Sequence, residues 1–228
     1  LLGDGSQFGI RLQYAVQPKP EGLAQAFLIA EEFLDGDSAC LVLGDNIFHG
    51  SNFSDLLIDA KLNGDAIWSD IGDATVFGYY VNDPERFGIM EFDDDYNVLS
   101  VEEKPKNPKS NLASMGIYIF STSTLIEYLE NDEEDENSSN DFGKNIIPKM
   151  LGDGKRMFAY QFSGYWKDVG TISSLWEANM EVLDPENSGI NLFDEDWKIF
   201  SRNSGMTGHK ISKGAVVEDS MITDGCRV

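Results

Sequence analysis

The stretch Ala39 to Asn46, ACLVLGDN, decides the fold class, because a continuous apolar run is followed directly by Gly44, Asp45 and Asn46. Such a run is typical of a central strand that is covered on both faces. In open sheets of parallel strands, ligands bind outside the carboxyl ends of the strands. The sequence therefore predicts a strand over residues 39–43 and places Asp45 at its functional end.

Strands and helices are predicted to alternate on both sides of this run. Leu23, Phe27, Ala30 and Leu34 have the spacing of a helix, and RLQYAV alternates as a strand does. The predicted strands cover residues 11–16, 74–81, 88–92, 98–103, 114–120 and 157–162, and the predicted helices cover 53–62, 124–129 and 142–150. Thr124 and Glu127 have capping-box spacing, and residues 130–140 are predicted to form a solvated acidic loop. The alternation predicts a layered α/β domain with a mostly parallel sheet.

A second carboxylate follows another predicted strand, in the stretch YWKDVGT that contains Asp168. Ile172, Leu175, Trp176 and Leu183 give the next helix an apolar stripe. Two carboxylates from different strands are able to hold Mg²⁺ against phosphate oxygens, so Asp45 and Asp168 are the candidate metal ligands. A turn or helix cap explains each of them about equally well.

Two further stretches carry candidate binding residues. In QPKPEGLAQAF, two prolines stiffen a loop and Gly22 permits close backbone approach just before a helix, as a loop that grips a planar base requires; an ordinary strand-to-helix turn is the simpler alternative. In VEEKP, Glu103 and Lys104 are predicted to point to opposite faces of a strand, one toward a sugar hydroxyl and the other toward a phosphate. A surface ion pair is the more usual explanation of that dipeptide.

The excess of acidic residues excludes some classes of binding partner. Forty acidic residues against 17 basic ones give a formal net charge of -23, which repels nucleic acid and anionic membranes, so we expect neither as a partner. Cys40 and Cys226 are too few for a disulfide framework, and no apolar run approaches the roughly 18 residues of a membrane span. We therefore expect a cytoplasmic protein.

The C-terminal part changes character. Residues 185–208 are predicted to form a polar linker, after which Val216, Ile222 and Val228 recur at every sixth position, as in a β-solenoid. We therefore expect one domain over residues 1–184, a linker over 185–208 and the start of a hexapeptide-repeat β-helix over 209–228. Because Leu1 is not an initiator methionine and Val228 follows no stop signal of any element, we also expect the chain to be a fragment.

The stretches LLGDGSQFG, VQPKPEGLAQAF, LVLGDNIF, VNDPERFG and VEEKP together resemble glucose-1-phosphate thymidylyltransferase in order and spacing. From about Glu103 onward, EEKPKNPKSNLASMGIYIF, DENSSNDFGKNIIP and GYWKDVGTISSLWEANM resemble bacterial glucose-1-phosphate adenylyltransferase. The two resemblances overlap at EEKP and cover nearly the whole chain. Both families open with a glycine-rich loop of the G-x-G-T-R-L type and a catalytic lysine, which are absent here, so we expect little or no activity from this chain alone.

The resemblance implies a Rossmann-like, mixed but mostly parallel sheet of the nucleotide-diphospho-sugar transferase type, followed by a left-handed β-helix. It implies attack of glucose 1-phosphate on the α-phosphorus of a nucleoside triphosphate, with release of pyrophosphate, and a homo-oligomer in the full-length protein. Asp45, Lys104 and Asp168 would be catalytic, with Mg²⁺ on the two aspartates. The base would contact Gln17, Pro20, Gly22 and Leu23, and the sugar phosphate would contact Gly88, Glu103, Lys104, Ser114, Gly116 and Tyr118.

The sequence gives two opposing indications of the nucleotide base. The base-contacting loop is of the thymidylyl type and favours dTTP, with dTDP-glucose as product. The C-terminal half and the tail favour ATP and ADP-glucose. A non-catalytic regulatory subunit is a third hypothesis, against which the retention of both Asp45 and Asp168 speaks.

Overall fold

The computed structural model describes residues 2–20, 22–50, 73–135, 137–192, 208–218, 220, 222 and 226–228. The predicted helix over residues 53–62 lies outside these ranges. Contacts divide the chain into two compact units, one formed by Leu1–Leu12, Asp45–Ser51 and Gly164–Val228 and the other by Gln13–Gly44 and Asn52–Ser163. The first is called here the carboxylate unit and the second the sheet unit.

The elements of the sheet unit follow the predicted alternation closely. Its strands are β1 (Ser38–Leu41), β3 (Ala74–Tyr80), β4 (Gly88–Phe92), β5 (Val98–Glu103), β6 (Leu112–Ser121) and β7 (Met157–Gln161). Its helices are α1 (Gln25–Ile29), α2 (Glu31–Leu34), α3 (Thr122–Glu133) and α4 (Ile147–Gly152), with a π-helical turn at Phe142–Ile146 before α4 and a 3₁₀ turn at Pro84–Arg86. No described helix has the length and apolarity needed to cross a membrane.

The six-stranded sheet has the order β5-β4-β6-β3-β7, and β1 also pairs with β6. The long strand β6 is antiparallel to β1, β3 and β4, whereas β7 is parallel to β3. Strands β1, β3, β4 and β7 therefore share one direction, and β6 and β5 run the other way. The α/β class with a mixed sheet is confirmed; the hydrogen-bonded pairs in the described part are mostly antiparallel because β6 lies between strands of opposite direction.

An aromatic and aliphatic core lies between this sheet and its helices. Phe142 stacks on Tyr118 and Phe120 at ring separations of 5.5 and 5.4 Å, and Phe27 from α1 meets Phe120 and Phe142 edge-on. Such pairs add stabilisation beyond the apolar area that they bury. The fully buried side chains include Phe77, Phe120, Met90, Leu112, Ile117, Leu125, Ile146, Ile147 and Met150.

In the part of the carboxylate unit that the structure describes, there are two short strands and two helices. Strands β2 (Asn46–His49) and β8 (Tyr165–Asp168) form an antiparallel pair, and the helices are α5 (Ile172–Glu181) and α6 (Pro185–Ser188), with a 3₁₀ turn at Ser6–Phe8. Further along, Lys210 and Arg227 form an isolated parallel bridge. Consecutive turns of a solenoid would make this kind of contact, but the β-helix and the predicted domain limits stay predictions.

Several local predictions are wrong. Residues 11–16 form no strand; Tyr14 and Val16 are exposed, and no described strand pairs with them. Cys40 in β1 and Val42 just after it are exposed, so the described residues cover only one of the two faces of this strand. Helix α3 begins after Ser121 without a side-chain cap and continues into the predicted acidic loop, because Asp132 is buried and accepts a hydrogen bond from Ser138 Oγ at 2.7 Å.

The apolar stripe predicted on α5 is also not buried. Ile172, Leu175 and Trp176 are 89%, 48% and 62% exposed, although the helix itself forms where the pattern indicates. Periodicity therefore located the helix correctly, but the prediction that its apolar side is buried is wrong for these three residues.

Candidate active site

Asp45 and Asp168 are brought together by the pairing of β2 with β8. The register sets Asn46 opposite Asp168, and the N–H of Val169 donates to the carbonyl oxygen of Asp45 at 2.9 Å. Cross-strand pairs of large side chains, Phe48 with Trp166 and His49 with Tyr165, favour this register. The two candidate ligands therefore lie side by side, Asp45 in the turn before β2 and Asp168 at the end of β8.

Neutral donors orient both carboxylates. Trp166 Nε1 donates to Asn46 Oδ1 at 2.8 Å, and Asn46 Nδ2 in turn donates to Asp45 Oδ1 at 3.0 Å. The backbone N–H of Gly170 donates to Asp168 Oδ1 at 2.8 Å. Asp168 does not cap the following helix, whose capping box is formed by Thr171 and Ser174. These contacts fix the two carboxylates but leave their negative charge uncompensated, since no described lysine or arginine forms an ion pair with either.

The space between the two carboxylates depends on Gly170. A Cβ atom at this position would lie 3.0 Å from Asp168 Oδ1 and 3.6 Å from Asp45 Oδ2. Both carboxylates are exposed and therefore accessible to a ligand. The described residues contain no cluster of three or more metal-ligating side chains. Mg²⁺ is commonly held by one or two carboxylates, with waters and substrate phosphates completing its octahedron, so the residues present fit that ion.

A network behind β8 holds the strand against α5. Lys167 Nζ lies 2.7 Å from Glu181 Oε1 and 3.0 Å from Glu177 Oε2, and Tyr165 donates to Glu181 Oε2 at 2.5 Å. Burial opposes ionisation of Glu181, but the Lys167 ammonium and the Tyr165 hydroxyl outweigh it and lower the pKa of this carboxyl. The strand that ends at Asp168 is therefore tied to a helix one residue before the ligand.

In the sheet unit, Glu103, Gly88 and Ser114 form a row across β5, β4 and β6. Gly88 is paired with Glu103, and the neighbouring pair Ile89 and Ala113 sets Gly88 beside Ser114. A Cβ atom on Gly88 would lie 3.0 Å from Glu103 Oε2 and 4.0 Å from the Cβ of Ser114. Glycine at position 88 therefore lets the Glu103 carboxylate lie against β4 beside Ser114; the surface around this row of residues is called here the hollow.

A bulge in β6 adds Tyr118 to this hollow. Gly116 has a φ of +69°, and the pairing of β3 with β6 shifts between Val76 and Gly78. Val76 opposes Tyr118 and Gly78 opposes Ser114, so β6 contains two extra residues over this interval, and Ser114 Oγ and Tyr118 Oη lie 3.1 Å apart. Burial, together with the negative charges of Asp141 and Glu103, raises the pKa of Tyr118, so its hydroxyl stays protonated and available as a donor.

Asp141 closes the hollow from the π-helical turn. Its Oδ1 accepts the N–H of Lys144 at 2.9 Å, and a Cβ atom on Gly143 would lie 3.5 Å from Asp141 Oδ1 and 3.6 Å from Glu103 Oε2. Two carboxylates and two hydroxyls thus converge on the hollow, and glycine at positions 88 and 143 lets the carboxylates approach the backbone. Carboxylates and hydroxyls are suited to bind the hydroxyl groups of a sugar.

Lys104 behaves differently from its prediction. Strand β5 ends at Glu103, and Lys104 takes up a left-handed conformation with a φ of +48°. Its Nζ lies 3.5 Å from Glu103 Oε1, so the two side chains form the surface ion pair and do not diverge to opposite faces. The alternation fails here because strand geometry stops one residue before Lys104. The Lys104 side chain is 65% exposed and lies at the rim of the hollow.

The predicted base-binding loop folds back on itself. Gln17 Nε2 donates to the carbonyl oxygen of Gly22 at 2.9 Å and to Gln25 Oε1 at 2.8 Å, while Pro20 and Leu23 are exposed. Gly22 does permit a close backbone approach, as predicted. With a φ of +101°, its added Cβ would lie 2.6 Å from the carbonyl oxygen of Asn140, so the chain it approaches is the protein's own.

Sequence reasoning missed four residues of this arrangement. Asn46 and Gly170 were neighbours of predicted ligands, and the strings GDN and DVG could have drawn attention to them. Asp141 and Gly143 lie in the stretch NDFGK, which carries a resemblance to adenylyltransferases but no local signal of a binding residue. Their closeness to Glu103 depends on the fold of the π-helical turn, which residue spacing does not reveal.

The comparisons with known proteins agree on one family. A family model described as nucleotidyl transferase matches residues 1–185. A glucose-1-phosphate adenylyltransferase of Clostridium botulinum (strain Alaska E43 / Type E3) is 48% identical over 211 residues, covering 91% of this chain and 53% of the relative. An enzyme of the same name from Fusobacterium nucleatum subsp. nucleatum is 46% identical over 200 residues, covering 87% and 50%. The chain thus spans about half the length of the curated relatives it matches.

Proposed function

Because this chain belongs to the nucleotidyl transferase family, we propose that it carries the sugar-phosphate and metal-binding parts of an enzyme that transfers a nucleotidyl group to glucose 1-phosphate. In this reaction a phosphate oxygen of glucose 1-phosphate attacks the α-phosphorus of a nucleoside triphosphate. The bond from the α-phosphorus to the bridging oxygen breaks, and pyrophosphate leaves. Such in-line displacement depends on alignment and on charge neutralisation more than on covalent help from the protein.

The hollow in the sheet unit is the proposed glucose site. Glu103 and Asp141 accept hydrogen bonds from glucose hydroxyls, and the protonated Tyr118 hydroxyl and Ser114 supply donors. Lys104, at the rim, pairs with the phosphate of the bound sugar. It gives up its contact with Glu103, because the phosphate carries more negative charge than a carboxylate. Glycine at positions 88 and 143 leaves the Glu103 carboxylate in place, since an added Cβ would lie 3.0 and 3.6 Å from its Oε2.

The paired carboxylates of Asp45 and Asp168 are the observation that carries the proposal. They lie beside each other, oriented by Asn46 and the Gly170 N–H, with no described cation to offset them. A Mg²⁺ ion held by these two residues would neutralise charge on the triphosphate. The carboxylates of Asp45 and Asp168 are already held in position by their hydrogen bonds, so little reorganisation is needed when the ion and the nucleotide bind.

ATP is the proposed nucleotide. The relatives do not support dTTP, because their name specifies adenylyl transfer. The preference for dTTP came from the loop residues Gln17, Pro20, Gly22 and Leu23. ADP-glucose would then be the product.

Calorimetric titration of the chain with ATP and with dTTP, each with and without Mg²⁺, tests this proposal. We expect ATP to bind more tightly than dTTP and Mg²⁺ to strengthen ATP binding in the wild type. Asp168→Asn should lose the effect of Mg²⁺, whereas Asp153→Asn, at an exposed carboxylate of the sheet unit, should keep it. Equal ATP affinity with and without Mg²⁺ in the wild type would contradict the metal role, and tighter binding of dTTP would contradict the choice of base.

The glucose site has its own test. Gly88→Ala introduces a methyl group 3.0 Å from Glu103 Oε2, and this distance forces the carboxylate to move. We expect weaker binding of glucose 1-phosphate. Gly152→Ala is the matched control, because its added Cβ meets no atom within 4 Å. Unchanged affinity in Gly88→Ala would remove the hollow from the proposal.

A further inference from the structure

The loop at Ser139, Asn140 and Asp141 contacts both predicted substrate regions of the sheet unit. On one side, the N–H of Ala24 donates to the carbonyl oxygen of Asn140 at 3.4 Å, and an added Cβ on Gly22 would lie 2.7 Å from the Cβ of Asn140. On the other side, Asp141 is the carboxylate that closes the hollow beside Glu103. A three-residue segment thus joins the loop that begins at Gln17 to the hollow.

This loop is held in an uncommon conformation by Asn145. Asn140 has a φ of +51°, a left-handed conformation that asparagine tolerates better than most residues. Asn145 Oδ1 accepts from the N–H of Ser139 at 3.3 Å, from Ser139 Oγ at 2.9 Å and from the N–H of Asp141 at 3.3 Å. One side-chain oxygen therefore fixes the residues on both sides of Asn140.

The loop is also anchored to helix α3. Ser138 Oγ donates to the buried Asp132 at 2.7 Å, and the N–H of Asn140 donates to Ser138 Oγ at 3.0 Å. The segment is therefore held at both ends, at Ser138 by the buried Asp132 and at Asp141 by Asn145.

The geometry points to Asn145 as a positioning residue that couples the nucleotide loop to the glucose hollow through Ser139, Asn140 and Asp141. The inference rests on the proposed function, since it takes the Gln17–Gly22 loop as the base contact and the hollow as the sugar site. In this arrangement a displacement on the Gly22 side moves Asp141, so a change in the nucleotide loop alters sugar-phosphate affinity even when no nucleotide is present.

Calorimetric titration of the 228-residue chain with glucose 1-phosphate alone, and separately with ATP, tests the inference. We expect Asn145→Ala to weaken both affinities by about tenfold, the equivalent of roughly 1.4 kcal/mol. Asn145→Asp keeps an acceptor oxygen for the three donors and should retain both affinities. Gly22→Ala, a change outside the hollow, should weaken binding of glucose 1-phosphate in the absence of nucleotide, whereas Gly152→Ala should not.

The outcomes separate the inference from the function that it rests on. If the wild type binds neither ligand, the proposed function fails and the inference fails with it. If the wild type binds both, and Gly22→Ala weakens ATP while leaving glucose 1-phosphate unchanged, the coupling alone is wrong. Circular dichroism identifies a variant that does not fold; should Asn145→Ala be such a variant, the Gly22→Ala result decides.

Discussion

At the scale of single residues, the candidate site is defined as much by missing side chains as by those present. Gly88, Gly143 and Gly170 each stand where a Cβ atom would come within 3.6 Å of a carboxylate oxygen. None of the three has the positive φ that demands glycine for backbone reasons. Close approach of a protein carboxylate is therefore the physical reason for glycine at these positions, and an alanine there shifts that carboxylate without straining the backbone.

Gly170→Ala tests the space between Asp45 and Asp168. A methyl group there lies 3.0 Å from Asp168 Oδ1 and displaces the carboxylate from its hydrogen bond with the Gly170 N–H. We expect the affinity for Mn²⁺, used as a probe of the Mg²⁺ site, to fall by about 10- to 100-fold, as for loss of an orienting contact at a metal site.

Electron paramagnetic resonance of free Mn²⁺ measures this affinity directly. Gly152→Ala serves as the control, because its methyl group meets no other atom. Identical titration curves for Gly170→Ala and the wild type would show that the gap is not where the ion binds.

Individual residues were only partly predictable from the sequence. The sequence points to Asp45 and Asp168 because carboxylates at strand ends are a local signal; the structure places them side by side, and their role as metal ligands stays a prediction. Asn46, Asp141 and Asn145 were missed, because each acts through partners that the chain brings near only by folding; Trp166, for example, is 120 positions from Asn46. A local pattern identifies a type of side chain but not its distant partner.

At the scale of elements, the predictions succeeded where a strong period governs several residues. Strands β3 to β7 and helix α5 form close to their predicted limits, whereas α3 forms where predicted but runs on into the predicted acidic loop. The short strands β2 and β8 were not predicted as a pair, because Asn46–His49 and Tyr165–Asp168 become strands through their mutual register. The predicted strand over residues 11–16 does not form, because an alternating pattern alone does not make a strand and no described strand pairs with these residues.

The N-terminus of α5 offers a test at this scale. Thr171 Oγ1 accepts the N–H of Ser174 at 3.1 Å, and Ser174 Oγ accepts the N–H of Thr171 at 3.2 Å. Thr171→Ala removes the first contact and should lower the free energy of unfolding by about 0.5–2 kcal/mol. Urea denaturation followed by circular dichroism measures the change, and Thr171→Ser, which keeps the hydroxyl, should restore most of it. An alanine variant as stable as the wild type would mean that the box does not stabilise the helix.

The Lys167 network gives α5 and β8 a dependence on pH. Against the effect of burial, Lys167 and Tyr165 lower the pKa of Glu181 from its ordinary value of 4.5. A carboxyl with a lowered pKa in the folded state contributes stability above its unfolded pKa, and this contribution is lost as the pH falls through the folded pKa. The stability difference between the wild type and Glu181→Gln should therefore be largest near neutrality and shrink below about pH 4.5.

Thermal denaturation between neutral pH and the acid range checks this expectation. Glu186→Gln, at an exposed carboxylate of α6, makes the same change in net charge and serves as the control. A difference between the wild type and Glu181→Gln that stays constant down to the acid end would show that the ion pair does not contribute.

At the scale of the whole molecule, a net charge of -23 conflicts with the binding of two anionic substrates. The conflict is resolved locally if a divalent cation occupies the Asp45–Asp168 pair and Lys104 faces the sugar phosphate. The same charge makes weak, scattered binding of cations to the surface unavoidable. A test of the site must therefore compare carboxylates at different places and not only total binding.

Titration of the chain with Mn²⁺, followed by electron paramagnetic resonance, compares the wild type with Asp45→Asn, Asp168→Asn and the surface control Asp153→Asn. The central claim is that Asp45 and Asp168 form one metal site for nucleotidyl transfer. It predicts that the tightest Mn²⁺ site of the wild type is lost in each of the first two variants and kept in Asp153→Asn. Retention of that site in both Asp45→Asn and Asp168→Asn would contradict the claim.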